Sequence, residues 1–318
     1  MILKPKHLIP ATLALLLALP SFLHAEPFAY VPNEGAGTVS VIDTATDQVV
    51  ATLPGGSKPR GLAVGLDRRW LYVSDQPNNS LQLVDITARK LGTAVSLGES
   101  PEGVSISPDG RWVVAAVEGK NEIAVIDTRG NTLAFAIKVH GKNPEHAVFS
   151  PNGHLLFVSA EEGGAVDIID FDARKQVAQV AVGARPRGIG FLPDSSRAYV
   201  ATENANEVFV IDTKNFAILT RIKAGLRANG IAVHPSGKQV YVSNGGDGNV
   251  SVIDTDSNQV VATIPVGQRP WNMALTPDGS KLYVANGRSN SVSVLDTAKR
   301  VKLRDIAVGK LPWGVAIR

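Results

Sequence analysis

Two sets of positions in this 318-residue chain recur about every 42 residues, yet change residue type at each recurrence. The first reads Arg60, Glu102, Glu145, Arg187, Asn229, Trp271 and Trp313, each directly after a proline or, once, after Ala228. The residue that follows is glycine in five copies, but His146 and Asn272 in the other two. The second set reads Glu34, Gln76, Glu118, Glu161, Glu203, Gly245 and Gly287. Carboxylates beside a histidine can act as acid and base. Oxygen-rich clusters suit a hard cation, and tryptophans among amides and charges suit a ligand or partner surface. Three uses stay open for these positions. They could be a solvated rim of internal ion pairs, a binding site for a small polar ligand or a protein partner, or a metal site built from His146, Glu145 and Glu161. The binding candidates are Arg60, Glu102, Glu118, Glu145, His146, Glu161, Arg187, Glu203, Asn229, Trp271, Asn272 and Trp313.

The elements that must carry these residues follow from two further markers. A Val-Ile-Asp-Thr motif or a close variant places Asp43, Asp85, Asp127, Asp170, Asp212, Asp254 and Asp296 at the same period. A Gly-x-x-Pro linker runs in register with it, from Pro59 to Pro312, with Ala228 standing in once. Within one repeat, segments such as Thr38-Val39-Ser40-Val41-Ile42 alternate polar and apolar with the period of a strand. Turn clusters such as Ser107-Pro108-Asp109-Gly110 separate them. No stretch keeps a helical period. About forty residues hold four short strands and their turns, the size of a propeller blade. The expectation is an all-β, seven-bladed β-propeller of four-stranded antiparallel blades spanning residues 26–318. The last blade would be closed by a C-terminal strand joined to three N-terminal ones. The first residue after each linker and the turn after each second strand then share one rim of the central channel.

A residue present in every blade serves a repeated structural need. The Asp-Thr pairs are therefore expected to cap turns, and the slot of Tyr30, Tyr72, Phe157, Tyr199, Tyr241 and Tyr283 to pack between blades. His140, His154 and His234 fall at a strand end or in turns and are expected to be structural or solvated. Function belongs where the blades differ: one sector gathers the glutamates, His146 and Arg187, and the opposite one offers Trp271 and Trp313 as exposed aromatics.

Residues 1–25 read as a secretory signal peptide, with Lys4 and Lys6 before an apolar run at 8–19 and Ala25 at the cleavage point. Removing it takes away two lysines and no acid, leaving 30 basic against 29 acidic residues. A near-neutral surface is a poor match for nucleic acid, which needs a basic stripe. The absence of cysteine excludes disulfides, thiolate metal sites and a cysteine nucleophile. No nucleophile elbow, metalloprotease helix, phosphate loop or dinucleotide fingerprint is present. A non-enzymatic protein is the expectation, without a membrane span once the leader is removed, and monomeric.

Tyr72-Val73-Ser74-Asp75, Tyr241-Val242-Ser243-Asn244 and Tyr283-Val284-Ala285-Asn286, each followed by a Val-Ile-Asp-Thr relative, resemble the YVTN β-propeller repeat. Seven copies behind a signal peptide are most similar to the β-propeller proteins associated with PQQ-dependent alcohol catabolism. That resemblance implies a periplasmic accessory of a quinoprotein dehydrogenase system, binding a ligand or partner at the rim. PQQ or a hard metal ion enters only through this association. The alternatives are a lactonase-like propeller hydrolase, with His146 and rim glutamates as acid–base groups, and a purely structural interaction scaffold.

Overall fold

The computed structural model describes residues 27–318, and the leader expected at 1–25 lies outside them. The described chain forms seven four-stranded antiparallel sheets with two single-turn 3-10 segments, Gln76–Asn78 and Glu118–Lys120. Six blades are continuous, covering residues 59–96 (blade 1), 101–138 (blade 2), 144–181 (blade 3), 186–223 (blade 4), 228–265 (blade 5) and 270–307 (blade 6). Blade 7 pairs Ala316–Ile317 with Phe28–Asn33, Thr38–Asp43 and Gln48–Pro54, which is the closure expected from the two ends. Its innermost strand is shorter than its counterparts: beyond those two residues only a bridge from Pro312 to Asn33 continues the ladder.

Burial explains the alternation along each repeat. The second and third strands, such as Trp70–Asp75 and Ser80–Asp85, are buried on both faces, whereas the outermost Lys90–Ser96 is largely exposed. The seven apolar clusters each join two neighbouring blades rather than filling a single one. The cluster of Ala29, Val31 and Ile42 with Tyr283, Val292 and Val294 is the one that closes the ring. Stability is therefore a property of the interfaces, as in other repeat folds.

The repeated markers do structural work throughout. All seven aspartates accept a backbone N–H from the turn they begin, from Ala45 N to Asp43 at 2.8 Å through to Lys299 N to Asp296 at 2.8 Å. The tyrosines are buried, and hydroxyls reach the adjacent blade, as in Tyr72 Oη to Asn131 Oδ1 at 2.7 Å.

Candidate functional site

Five innermost strands begin with the linker proline and that of blade 5 with Ala228, and in these six blades the pairing register breaks just after that residue. Proline contributes no N–H to the ladder, and the bulge re-aims the next side chain toward the channel mouth. The backbone N–H groups freed by the bulge turn to serines on the second strand: Gly61 to Ser74 at 2.9 Å, His146 to Ser159 at 3.1 Å and Gly230 to Ser243 at 2.8 Å. The glycines at this slot are needed because neighbouring inner strands nearly touch. A Cβ on Gly61 would lie 2.3 Å from the Glu102 carbonyl oxygen.

Ten of the twelve rim residues expected from the sequence line one cavity of about 290 Å³ at the channel mouth. Glu203 lies behind its wall, joined to it through arginines, and His146 sits deeper. Arg187 is the hub of the acidic sector, 2.6 Å from Glu145, 2.9 Å from Glu161 and 3.0 Å from Glu203. Arg269 adds a second contact to Glu203 at 2.7 Å, and Arg185 pairs with Glu161. A separate group joins Arg60 to Glu34 at 3.2 Å and to Glu102, whose Oε1 also accepts from Gln76 at 2.7 Å.

These pairs do not neutralise the site evenly. Burial, followed by the repulsion of Glu145, pushes the Glu102 carboxyl up to about 9, outweighing the attraction of Arg60. Burial likewise raises Glu118, and burial together with Glu145 raises Glu161. Glu203 goes the other way: burial would raise it, but the hydrogen bond from Arg269 and the charge of Arg187 leave it below its usual value. Six buried side-chain polar atoms lack a hydrogen-bond partner among the described residues, and four are here: Glu102 Oε2, Arg60 Nε, Arg269 Nη1 and Arg185 Nε, the last still 3.7 Å from Glu203 Oε2. Buried polar atoms are almost always satisfied in a finished interior. This concentration distinguishes the mouth from the rest of the described interior.

Trp271, Asn229, Asn272 and Trp313 form the opposite wall. Both indoles are half-buried rather than fully exposed. Trp271 lies over Gly287, where a Cβ would come within 2.6 Å of its ring, so this glycine makes room for the aromatic wall, while Gly245 makes room for Arg269. The two sectors are not separated by an open channel. His146, on blade 3, meets Trp313, leading into the closing strand of blade 7, at a ring-centroid distance of 5.4 Å. His146 thus lines a second, deeper cavity of about 140 Å³ with apolar walls from Leu62, Val104, Val148 and Ile231. Burial, reinforced by the charge of Arg187, pushes it down to about 3, so the ring is neutral near pH 7.

The metal grouping expected from sequence is changed in one member. The side chains whose carboxylate oxygens all lie within 4.8 Å of one another are Glu118, Glu145 and Glu161, without His146. The histidine follows the bulge inward while the glutamates stay at the mouth. Arg185, Arg269, Ser100 and Asn143, all immediately before a linker proline, also serve the mouth but were missed from sequence. That slot reads Lys58, Ser100, Asn143, Arg185, Arg227, Arg269 and Leu311 around the ring, a variation of the same kind as the slot after the proline and the signal that points to them.

A larger cavity, about 330 Å³, lies between blades 2 and 3 at the opposite strand ends. Trp112, Phe135 and Phe171 line it, with Arg174 over the Phe135 ring at 4.1 Å and Arg111 over Trp112 at 4.6 Å. His154 and Asp172 meet at its exposed edge, 2.7 Å apart.

Fold and mouth together define a seven-bladed propeller with an asymmetric, charged channel entrance. The chain belongs to the YNCE-like beta-propeller family, whose profile matches residues 3–317. It is similar to Kuenenia stuttgartiensis hydrazine synthase at 26% identity and a TM-score of 0.79, over 85% of this chain and 92% of that one. A functionally unknown protein from Desulfotomaculum acetoxidans shares 20% identity with a TM-score of 0.79, over 91% of this chain and 98% of the other. A proposed 6-phosphogluconolactonase from Bacteroides uniformis shares 19% identity with a TM-score of 0.76, over 92% and 100% respectively. These last two likenesses concern the fold alone. No curated protein matches the chain in sequence.

Proposed function

We propose that this propeller is a non-enzymatic periplasmic accessory of PQQ-dependent alcohol catabolism that uses the charged mouth to bind a ligand or a protein partner. The observation that supports the binding role is one asymmetric cavity that gathers glutamates, arginines, two asparagines and two indoles, with four buried polar atoms of its walls and their partners lacking a hydrogen bond. The association with a quinoprotein dehydrogenase system is supported by the resemblance of the seven repeats, and the periplasmic location by the leader at residues 1–25. Trp271 and Trp313 supply rigid apolar area beside the charged wall, a combination that suits the centre of an interface.

The hydrolase alternative gains little from the geometry. An acid–base histidine near pH 7 needs a pKa close to that value, whereas His146 is pushed down to about 3 and stacks on Trp313. The test is the affinity of the immobilised protein for a quinoprotein alcohol dehydrogenase. Wild type is expected to capture it, and the Trp271→Ala/Trp313→Ala double variant to bind at least tenfold more weakly while its thermal unfolding stays cooperative. Unchanged capture by the double variant would remove the mouth from the interaction, and no capture by wild type would remove the partner.

A further inference from the structure

We propose that the deeper cavity of the channel is a site for a small neutral molecule with an apolar, ring-sized body and one hydroxyl group, held between His146 and Asn272. The cavity lies beneath the charged mouth and does not need a ligand or partner bound there.

Two residues break the glycine slot that follows the rim position, and both line one space. Five blades have glycine there, whereas blade 3 has His146 and blade 6 has Asn272. The two side chains come from blades three apart around the ring, yet both line the cavity of about 140 Å³. Each is given room by the glycine slot of an adjoining blade. A Cβ on Gly103 would lie 2.6 Å from His146 Nδ1, and one on Gly314 would lie 3.1 Å from Asn272 Cβ. The surrounding wall is apolar, with Ile189 and Val315 joining Leu62, Val104, Val148 and Ile231. A mostly apolar pocket with a few convergent polar groups is the usual form of a small-molecule site.

Size and chemistry together set the class of ligand. An apolar space of about 150 Å³ is enough for a benzene ring, and this cavity is close to that volume. Its two polar side chains are not used up by the protein. His146 donates its backbone N–H to Ser159 Oγ at 3.1 Å, but neither ring nitrogen has a hydrogen-bond partner among the described residues. Asn272 extends Nδ2 to the Trp313 carbonyl at a long 3.5 Å, and its Oδ1 accepts from no described residue. Burial and the charge of Arg187 keep the imidazole neutral near pH 7, so it offers one donor and one acceptor. A hydroxyl both donates and accepts, and therefore answers either tautomer. A charged ligand is disfavoured, because the apolar wall would strip its water without replacing it. The arginine on the lining, Arg60, is already held by Glu34 and Glu102. Arg60, Asn272 and Trp313 line both this cavity and the mouth above it, which gives a small molecule a way in.

The experiment is a nuclear magnetic resonance titration of the full chain, nitrogen-labelled in its histidine rings, with phenol and with cyclohexanol as probes. Saturable shifts of the His146 ring signals are expected, with a dissociation constant at or below about 1 mM for at least one probe. Benzoate, of similar shape but charged, is expected to bind more weakly. His146→Gly and Asn272→Gly each install the residue that five other blades carry, so the fold is little at risk. The double variant is expected to bind that probe at least about tenfold more weakly, and each single variant at least about threefold, as hydrogen-bond partners are lost. Thermal unfolding separates a lost site from a lost fold, and the single variants decide the matter if the double variant does not unfold cooperatively. The inference is overturned if neither probe saturates wild type by about 10 mM, tenfold above that constant. It is equally overturned by wild-type affinity in the folded variants, or by benzoate binding more tightly than phenol.

Discussion

The two main cavities of this propeller depart from the sevenfold pattern in opposite ways. In the groove between blades 2 and 3, Phe171 stands where five blades have threonine after the capping aspartate, and Phe135 enlarges the outermost strand. The rings pack on one another around the cavity, Phe149 and Phe171 meeting edge to face at 4.7 Å, and guanidinium groups cover Trp112 and Phe135. At the mouth, the departures are charges, and four buried polar atoms remain unmatched there. The groove is thus walled by rings that satisfy one another, whereas the walls of the mouth keep polar atoms without hydrogen bonds.

The harshest way to break this comparison is to remove what both regions share. Deleting residues 312–318 takes away the Trp313 N to Pro32 O bond at 2.9 Å, the two Phe28–Arg318 backbone bonds at 3.1 Å and the inner strand of blade 7. It also opens the cluster that joins blades 6 and 7 through Val315 and Ile317. With no cysteine to staple the ring, loss of a cooperative thermal transition is expected, and groove and mouth should vanish together. A soluble truncation melting at the wild-type temperature would refute closure as the source of stability.

A gentler cut separates the regions. Replacing Arg187 by Met leaves Glu145, Glu161 and Glu203 without their common cation, and removing one side of a buried pair costs about 3–5 kcal/mol. Replacing Arg174 by Met keeps an unbranched chain over Phe135 and loses only an exposed cation–π contact of about 0.5–1 kcal/mol. Urea denaturation of the two variants is expected to rank them in that order. Equal losses would mean that the mouth network is as solvated as a surface and that its unmatched atoms carry no cost.

The fold was legible because repetition supplies its own controls. Seven Asp-capped turns and seven linkers fix period, strand order and closure before any tertiary contact is known. The same repetition made most of the mouth legible, since a slot that reads Arg60, Glu102, Glu145, Arg187 and onward cannot be structural in every copy. What stayed hidden depends on backbone detail and packing. Arg185 and Arg269 lie at φ of 59° and 53°, a left-handed conformation that turns linker residues into the mouth and that arginine does not advertise. The meeting of His146 with Trp313 depends on how far two side chains three blades apart extend across the channel, which no periodicity records.

The finest test concerns protons and expects the smallest effect. Glu102 is raised by burial and Glu145 to about 9 from an unfolded value near 4.5, so the folded state holds its proton where the unfolded chain has released it. For a raised carboxyl the stabilisation is complete below about 4.5 and is lost as pH rises toward the folded value. The raised Glu118 and Glu161 add in the same sense. Glu203, being lowered, gives its stabilisation above its unfolded value and loses it only as pH falls. The turn aspartates Asp254, Asp278 and Asp296 behave alike, so acid loss begins below their ordinary 3.8. The melting temperature of wild type should therefore decline from pH 5 to pH 9. Glu102→Gln, which imitates the protonated acid, should match wild type at pH 5, flatten that decline and melt a few degrees higher at pH 9. If Glu102→Gln melts lower than wild type at pH 9, then Glu102 is ionised and paired there, and the mouth is as internally balanced as the groove.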